Sequence, residues 1–305
     1  MTVLVLGKNG QVGWELQRTL GLVGPVVMLG RSDVDVEDDV KLREVIRAVH
    51  PRIIVNAMAY TAVDNAEREA ALAHRINADM PRILAEEAAR LDAWLIHYST
   101  DYVFDGKKAG PYTEADTPAP LSVYGTTKLA GENAIAKVGG KHLIFRCSWI
   151  YSSRRENFLL TILSLAAKRD SLRVIDDCMG APTAAALVAD VTGTVVRQLG
   201  EGRHDGAASG IYHLAAGGET TWHGYASFIT SEAKRLGMPV RLDVSGIGRI
   251  GERDYGSPAR RPLNSRLDTG KLRQTFDVEL HDWQFGVGRL LAEMVAPLRI
   301  FPRAN

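Results

Sequence analysis

Tyr124 and Lys128 stand four residues apart in VYGTTKLAGE, Val123 to Glu132, and residues at i and i+4 are neighbours on a helix surface. A phenol and an ammonium in contact could do acid–base chemistry. Tyrosine is a poor proton-transfer group at its ordinary pKa near 10, and an adjacent cation favours phenolate and draws the titration toward working pH. The same spacing also fits two residues on a solvated helix face, so the choice rests on what the chain sets beside them. Thr100 closes the apolar run in AWLIHYSTDYVFDG. Its hydroxyl could hold a substrate oxygen near the same strand end.

A proton donor for a carbonyl needs a hydride source, and the N-terminus supplies a place for one. VLVLGKNGQVGWEL sets Gly7, Gly10 and Gly13 between an apolar run and a helical pattern. Gly7 suits a tight strand-to-helix turn, Gly10 a close approach of backbone to pyrophosphate, and Gly13 close helix–strand packing. The amides and dipole of the helix then attract phosphate. The second strand ends in Gly30-Arg31-Ser32, where an NAD-selective site carries an acidic side chain. Arg31 suits a 2′-phosphate better, which favours NADPH and leaves NADH open.

The elements that must position these groups follow from periodicity. Apolar runs at Val3–Leu6, Val26–Leu29, Ile53–Asn56, Trp94–Tyr98 and His142–Cys147 alternate with helical patterns at Gln11–Leu20, Asp39–Val49, Leu72–Arg90 and Val123–Lys137. This alternation predicts an α/β fold, a Rossmann-like doubly wound parallel sheet with right-handed crossovers. Residues 1–150 form the expected dinucleotide unit. A smaller α/β substrate-binding portion spans 151–305, with a segment near 181–215 returning to the first sheet. FLLTILSLAAKR and TAAALVADVTGTVVRQL read as helices, LRVID and IYHLAA as strands. DGKKAGPYTEADTPAP, GEGRHDGAASG and SGIGRIGERDYGSPARRP read as loops.

Composition removes other classes. The 305 residues are 46% hydrophobic and 24% charged with a net charge of +1, which leaves no electrostatic footprint for nucleic acid or an anionic membrane. No apolar run is long enough for a membrane span. Cys147 and Cys178 show no metal-ligand spacing, so a disulfide framework is not expected and a reducing cytoplasm fits. His50, His97 and His213 read as structural.

GKNGQVG, IVNAMAYTAVDNAE, STDYVFDG, YGTTKLAGE, FRCSWIY, GAPT, TTWHGYA and RRPLNSRLDT follow one another along the chain. In that order they resemble the dTDP-4-dehydrorhamnose reductases, extended short-chain dehydrogenase/reductases, over nearly the whole length. The resemblance implies reduction of the C4 ketone of dTDP-4-dehydro-β-L-rhamnose to dTDP-β-L-rhamnose for surface polysaccharide. It places Gln11 and Val12 at the pyrophosphate turn and Asp35 and Val36 near the adenine, with Ala59, Tyr60 and Thr61 lining the cofactor. It gives Thr100 and Asp101 contacts to the sugar nucleotide, Tyr124 the proton, Lys128 the ribose and the tuning of the phenol. Trp149 packs on the hexose and Arg261 meets the nucleotide end.

Three departures qualify the resemblance. Cys178 stands in VIDDCMGAPT where relatives carry an amide, and reads as a small apolar filler. Some relatives are described as homodimers joined through Mg²⁺ held by glutamates. Here Glu15 and Glu293 keep two of those positions and Ala186 holds the third, which argues against the metal because Mg²⁺ demands oxygen ligands. The third departure is Gly30.

Overall fold

The computed structural model describes residues 1–300, with side chains as far as 295. Strand β1 (Val3–Leu6) leads through helix α1 (Gln11–Leu20) to β2 (Val26–Leu29), then α2 (Asp39–Val49) and β3 (Ile53–Asn56). The chain continues through α3 (Val63–Ala66), α4 (Ala70–His74), α5 (Met80–Arg90) and β4 (Trp94–Thr100), then α6 (Val123–Val138) and β5 (His142–Cys147). All five strands are parallel, and a sixth, Gly210–Leu214, adds beside β5 to give the order 210–214, β5, β4, β3, β1, β2. Strand order reverses between β1 and β3, the place where such sheets hold ligands beyond their carboxyl ends.

The runs VLVL and IIVN are buried on both faces, as a parallel sheet covered by helices requires. One apolar layer gathers α1 and the helix Ala185–Gly200 against the sheet. The opposite layer gathers residues of α2, α5 and the Ile135 turn of α6. Transfer of such side chains from water contributes roughly 1.5–3 kcal/mol for each large aliphatic group.

The expected single helix over Leu72–Arg90 is three pieces, because a π-helical turn, Arg75–Asp79, joins α4 to α5. Pro81 has no N–H to offer the Asn77 carbonyl. That carbonyl instead meets α6, where a Cβ on Gly131 would lie 2.1 Å from it. The π turn therefore lets the Tyr124 helix sit close against the chain after β3.

The C-terminal portion corrects one sequence expectation. SGIGRIGERDYGSPARRP is not all loop: Ile247–Ile250 pairs in parallel with Leu172–Ile175, and Glu252–Tyr255 is a single helical turn. Gly248 within it and Gly246 and Gly251 on either side hid a strand whose ladder partner is some 75 residues away in the chain. The helices Trp222–Arg235, Gly270–Phe276 and Trp283–Ile300 were also absent from the periodicity reading.

Candidate active site

The turn after β1 is built by steric necessity. Gly7 has φ +99°, and a Cβ there would lie 2.6 Å from the Ala57 carbonyl at the end of β3. A Cβ on Gly13 would lie 2.0 Å from the Gly7 oxygen, so only glycine lets α1 pack here. Gly10 caps α1 without a side-chain hydrogen bond, and the first turn holds no acidic residue. The helix thus presents its free amides and positive end outward, whereas α2 is capped by the Asp38 carboxylate. Val12 is buried in the core, and the Gln11 amide oxygen accepts from Ser152 (2.9 Å) and Asn157 (3.1 Å). Val12 can serve a phosphate only through its backbone N–H, whereas Gln11 keeps its side-chain NH₂ as a second donor.

Beside this turn, Arg31, Asp35, Val36 and Tyr60 line one pocket of about 380 Å³, with Leu72 and Ile76 as apolar wall. Ala59 and Thr61 flank Tyr60 on the connection from β3 to α3. The Tyr60 hydroxyl donates to Glu69 at 2.6 Å and its N–H to Asn77 at 2.9 Å. An open helix N-terminus, a glycine cradle and a part-apolar pocket fit a dinucleotide. Sequence reasoning missed Asp33. Its carboxylate accepts the Gly30 N–H at 2.7 Å and pairs with Lys8 at 2.6 Å, so the acidic group lacking at Gly30 arrives three residues later and is neutralised.

Thr100 is the last residue of β4, two residues beyond the expected strand end, and caps the short turn Asp101–Val103 by accepting from the Tyr102 N–H. Its hydroxyl donates to Asp101 at 3.0 Å and lies close enough to the Tyr124 phenol to act on its titration. Asp101 is fully enclosed and takes further hydroxyls from Ser148 (3.4 Å) and Ser265. Burial pushes its carboxyl up to about 6, against the pull of those hydroxyls. Tyr124 begins α6, whose N-cap Ser122 accepts from Gly125, and its ring meets Tyr102 edge-on at 5.7 Å.

Lys128 corrects the expected phenol–ammonium contact. Its Nζ donates to the Tyr98 carbonyl at 2.6 Å and lies 3.3 Å from His97 Nε2, both on β4. Burial pushes the lysine down to about 8, and pushes the Tyr124 phenol above its ordinary value with only partial relief from Thr100. The lysine does not lower the phenol in this arrangement: desolvation outweighs any help from the cation. His97, read as structural, is the lysine's neighbour. The signal was its place on β4, whose odd-numbered side chains, His97 among them, share the face turned toward α6.

Trp149 has φ +45° and stacks face to face on Trp222 at 3.6 Å, with Phe158 behind at 4.5 Å. Trp222, in TTWHGYA, is the first residue of the helix Trp222–Arg235. Arg261 pairs with Asp64 at 3.0 Å, and its charge acts on Tyr102 and Cys178, which sets it on the Tyr124 side of the cleft. Cys178 is buried, and burial pushes its thiol up to about 12, so it fills space. The Mg²⁺ positions do not fit a metal. Glu293 accepts from Arg289 at 2.9 Å and Glu15 lies 3.8 Å from Arg18. Among the described residues, no group of three His, Cys, Asp or Glu side chains could hold one.

Comparison with known proteins agrees with this geometry. Residues 1–296 match the family described as RmlD substrate binding domain. The dTDP-4-dehydrorhamnose reductases of Shigella flexneri and Escherichia coli (strain K12) are each 46% identical over 298 residues, covering 96% of this chain and 98% of the relative. The crystal structure of dTDP-4-dehydrorhamnose reductase from Bacillus anthracis in complex with NADP is 30% identical. It superposes with a TM-score of 0.85 over 96% of this chain and 99% of that one. The Clostridium acetobutylicum ortholog gives 0.86 at 32% identity, with the same coverage. With the glycine turn, the Thr100–Tyr124–Lys128 corner and these likenesses spanning nearly all of it, the chain belongs to the dTDP-4-dehydrorhamnose reductase family.

Proposed function

We propose that the protein reduces the C4 ketone of dTDP-4-dehydro-β-L-rhamnose to dTDP-β-L-rhamnose, the last step in making that sugar donor for surface polysaccharide. What supports the reading is the set of Thr100 at the end of β4, Tyr124 on α6 and Lys128 bonded to the Tyr98 carbonyl of β4, beside a helix N-terminus left open for phosphate. NAD(P)H, held by the glycine turn and the Arg31–Tyr60 pocket, supplies a hydride when bound.

The chain's own residues do the rest. Thr100 holds the ketone oxygen, and Tyr124 gives that oxygen its proton as charge develops. A phenol raised by burial is kept protonated, which suits a donor in the reductive direction. Lys128 holds the cofactor ribose. The Trp149–Trp222 stack forms an apolar wall for the hexose, and Arg261 meets the nucleotide end. Enclosure of Asp101, Lys128 and Ser148 keeps water from the reacting groups.

Arg31 supports NADPH as the preferred donor, and the Lys8–Asp33 pair leaves NADH usable. The dinucleotide unit comprises 1–150 with 181–215, supported by strand Gly210–Leu214 in the main sheet. Among the described residues no helix is long and apolar enough to cross a membrane. Two free, buried cysteines suit the cytoplasm.

The test is the loss of NADPH absorbance with dTDP-4-dehydrorhamnose, set against GDP- and UDP-linked ketosugars. Turnover of the dTDP sugar is expected. Equal turnover of all three would remove the substrate assignment, and none at all would remove the reductase.

A further inference from the structure

Asn56 and His97 face each other across the β3–β4 ladder. The Asn56 Oδ1 accepts the Met58 N–H at 3.1 Å, so the amide nitrogen is the group that meets His97 Nδ1, at 3.0 Å. An amide NH₂ can only donate, so Nδ1 must accept and the ring hydrogen stays on Nε2. Reversing the amide would set two donors against each other at Met58, inside a fully buried site. The network therefore selects one tautomer. Its Nε2 lies 3.3 Å from Lys128 Nζ.

We propose that His97 is a positioning residue for Lys128: locked by Asn56 as the Nε2–H form, it aims a hydrogen at Nζ and favours the neutral amine over the ammonium. A neutral amine accepts that hydrogen. An ammonium must oppose it, or force the ring to the other tautomer and leave Asn56 Nδ2 facing an N–H. The Tyr98 carbonyl accepts at 2.6 Å from either form, more strongly from the ammonium, and so pulls against the ring.

Several titratable groups surround Lys128, and among them the Glu132 carboxylate favours the ammonium. On its own helix stand Tyr124 and Glu132, the latter bound by Arg146 at 2.6 Å. From β5 comes Cys147, a thiol that burial keeps protonated, and beyond β4 lies Asp101. Burial itself pushes Lys128 down to about 8, and pushes His97 well below its ordinary value so that the ring stays neutral. The tautomer adds to burial in the same direction, so Asn56, two elements from the lysine, sets the pH at which the site carries its cation.

The tautomer and the lysine titration are both readable by NMR, without reference to turnover. Full-length protein labelled with ¹⁵N-histidine, with His97→Phe for assignment, is expected to show His97 protonated at Nε2. A ring protonated at Nδ1 would overturn the proposal. Asn56→Asp keeps an acceptor for Met58 and presents a second acceptor to the ring, so the ring should switch to Nδ1–H. The Lys128 titration, followed with ¹³C-lysine, should then rise by about one pH unit. The added carboxylate also acts through its charge, so the same change is made in the His97→Phe background, where less than half of the rise should remain. An equal rise in both backgrounds would sink the coupling through the ring. The kinetic consequence, an alkaline limb of kcat that moves with the lysine, rests on the reductase reading; its absence alongside a correct tautomer and titration would count against that reading alone.

Discussion

Glu87 on α5 and Asp101 beside β4 are both enclosed carboxylates, 1% and 2% exposed, and their surroundings push them in opposite directions. Arg47 grips Glu87 with two bonds, at 2.9 and 2.6 Å, and Arg43 and Arg90 each add one at 3.0 Å. Those partners, Arg47 foremost, pull its carboxyl down to about 2. Asp101 receives hydroxyls and a backbone N–H but no cation, and burial raises it to about 6. Lys128 repeats the pattern with the sign reversed: a buried cation whose hydrogen-bonding neighbours are a carbonyl and a neutral imidazole. Where the fold needs a buried charge only for cohesion it supplies counter-charges; at the cleft it withholds them. A buried ion without an opposite partner, in a cleft, is therefore the physical mark of the working site.

The strongest way to break that contrast is Tyr124→Phe, which removes one oxygen from the cleft and no charge. Turnover of the ketosugar should fall by about 10²- to 10⁴-fold, while the dissociation constant for NADPH, read by fluorescence titration, stays within about twofold of wild type. A turnover within a factor of a few would mean that the proton comes from elsewhere.

Glu87→Gln tests the other side. Removing one member of a buried ionic cluster costs about 3 kcal/mol, read as a lower urea midpoint, with turnover unchanged because α5 faces away from the cleft. Lys128→Met should do the reverse, raising the urea midpoint while turnover collapses. If Lys128→Met lost as much stability as Glu87→Gln, the cleft would not be the strained region.

The two carboxylates also predict opposite slopes of stability with pH. Glu87 titrates lower in the fold than unfolded, so its contribution is full above about 4.5 and is lost as pH falls toward 2. Asp101 titrates higher in the fold, from 3.8 to about 6, so it weakens the fold above 6 and that penalty is relieved as pH falls from 6 to about 4. In urea titrations, Asp101→Asn should flatten the gain between pH 6 and 4 and leave the acid loss in place. Glu87→Gln should flatten the loss below 4.5. An Asp101→Asn profile parallel to wild type throughout would show that this carboxyl is not raised.

The sheet and the glycine turn were legible because local rules fix them. An apolar strand, Gly7 and Gly13 leave few backbone solutions, and β1 to β5 were found nearly to the residue. Thr100 and Tyr124 were placed because each lies near an element boundary that periodicity reveals, and Lys128 because it follows Tyr124 by one helical turn. What escaped depends on distant partners. Ile247–Ile250 is a strand only because Leu172–Ile175 lies beside it. The Trp149–Trp222 stack joins residues 73 positions apart, and Asp33 matters only once Lys8 folds over it. The sign of the Tyr124 shift was misjudged for the same reason. Spacing on α6 gave the neighbour, whereas β4, packed beneath, gave Lys128 its hydrogen bonds and the phenol its dry surroundings.

The smallest expected effect lies at the rim, where the contrast between paired and unpaired charge recurs in miniature. Lys8 is neutralised by Asp33, while Arg31 stands exposed on the pocket it shares with Asp35 and Tyr60, with no ion-pair partner among the described residues. A free guanidinium is the group able to take a 2′-phosphate bidentately. Arg31→Ala should then raise the KM for NADPH about tenfold and that for NADH no more than about twofold, a difference near 1 kcal/mol at an exposed site. Equal changes for the two cofactors would assign the discrimination to Lys8. The sharper variant in that event is Asp33→Asn, which frees the Lys8 ammonium and should lower the KM for NADPH alone.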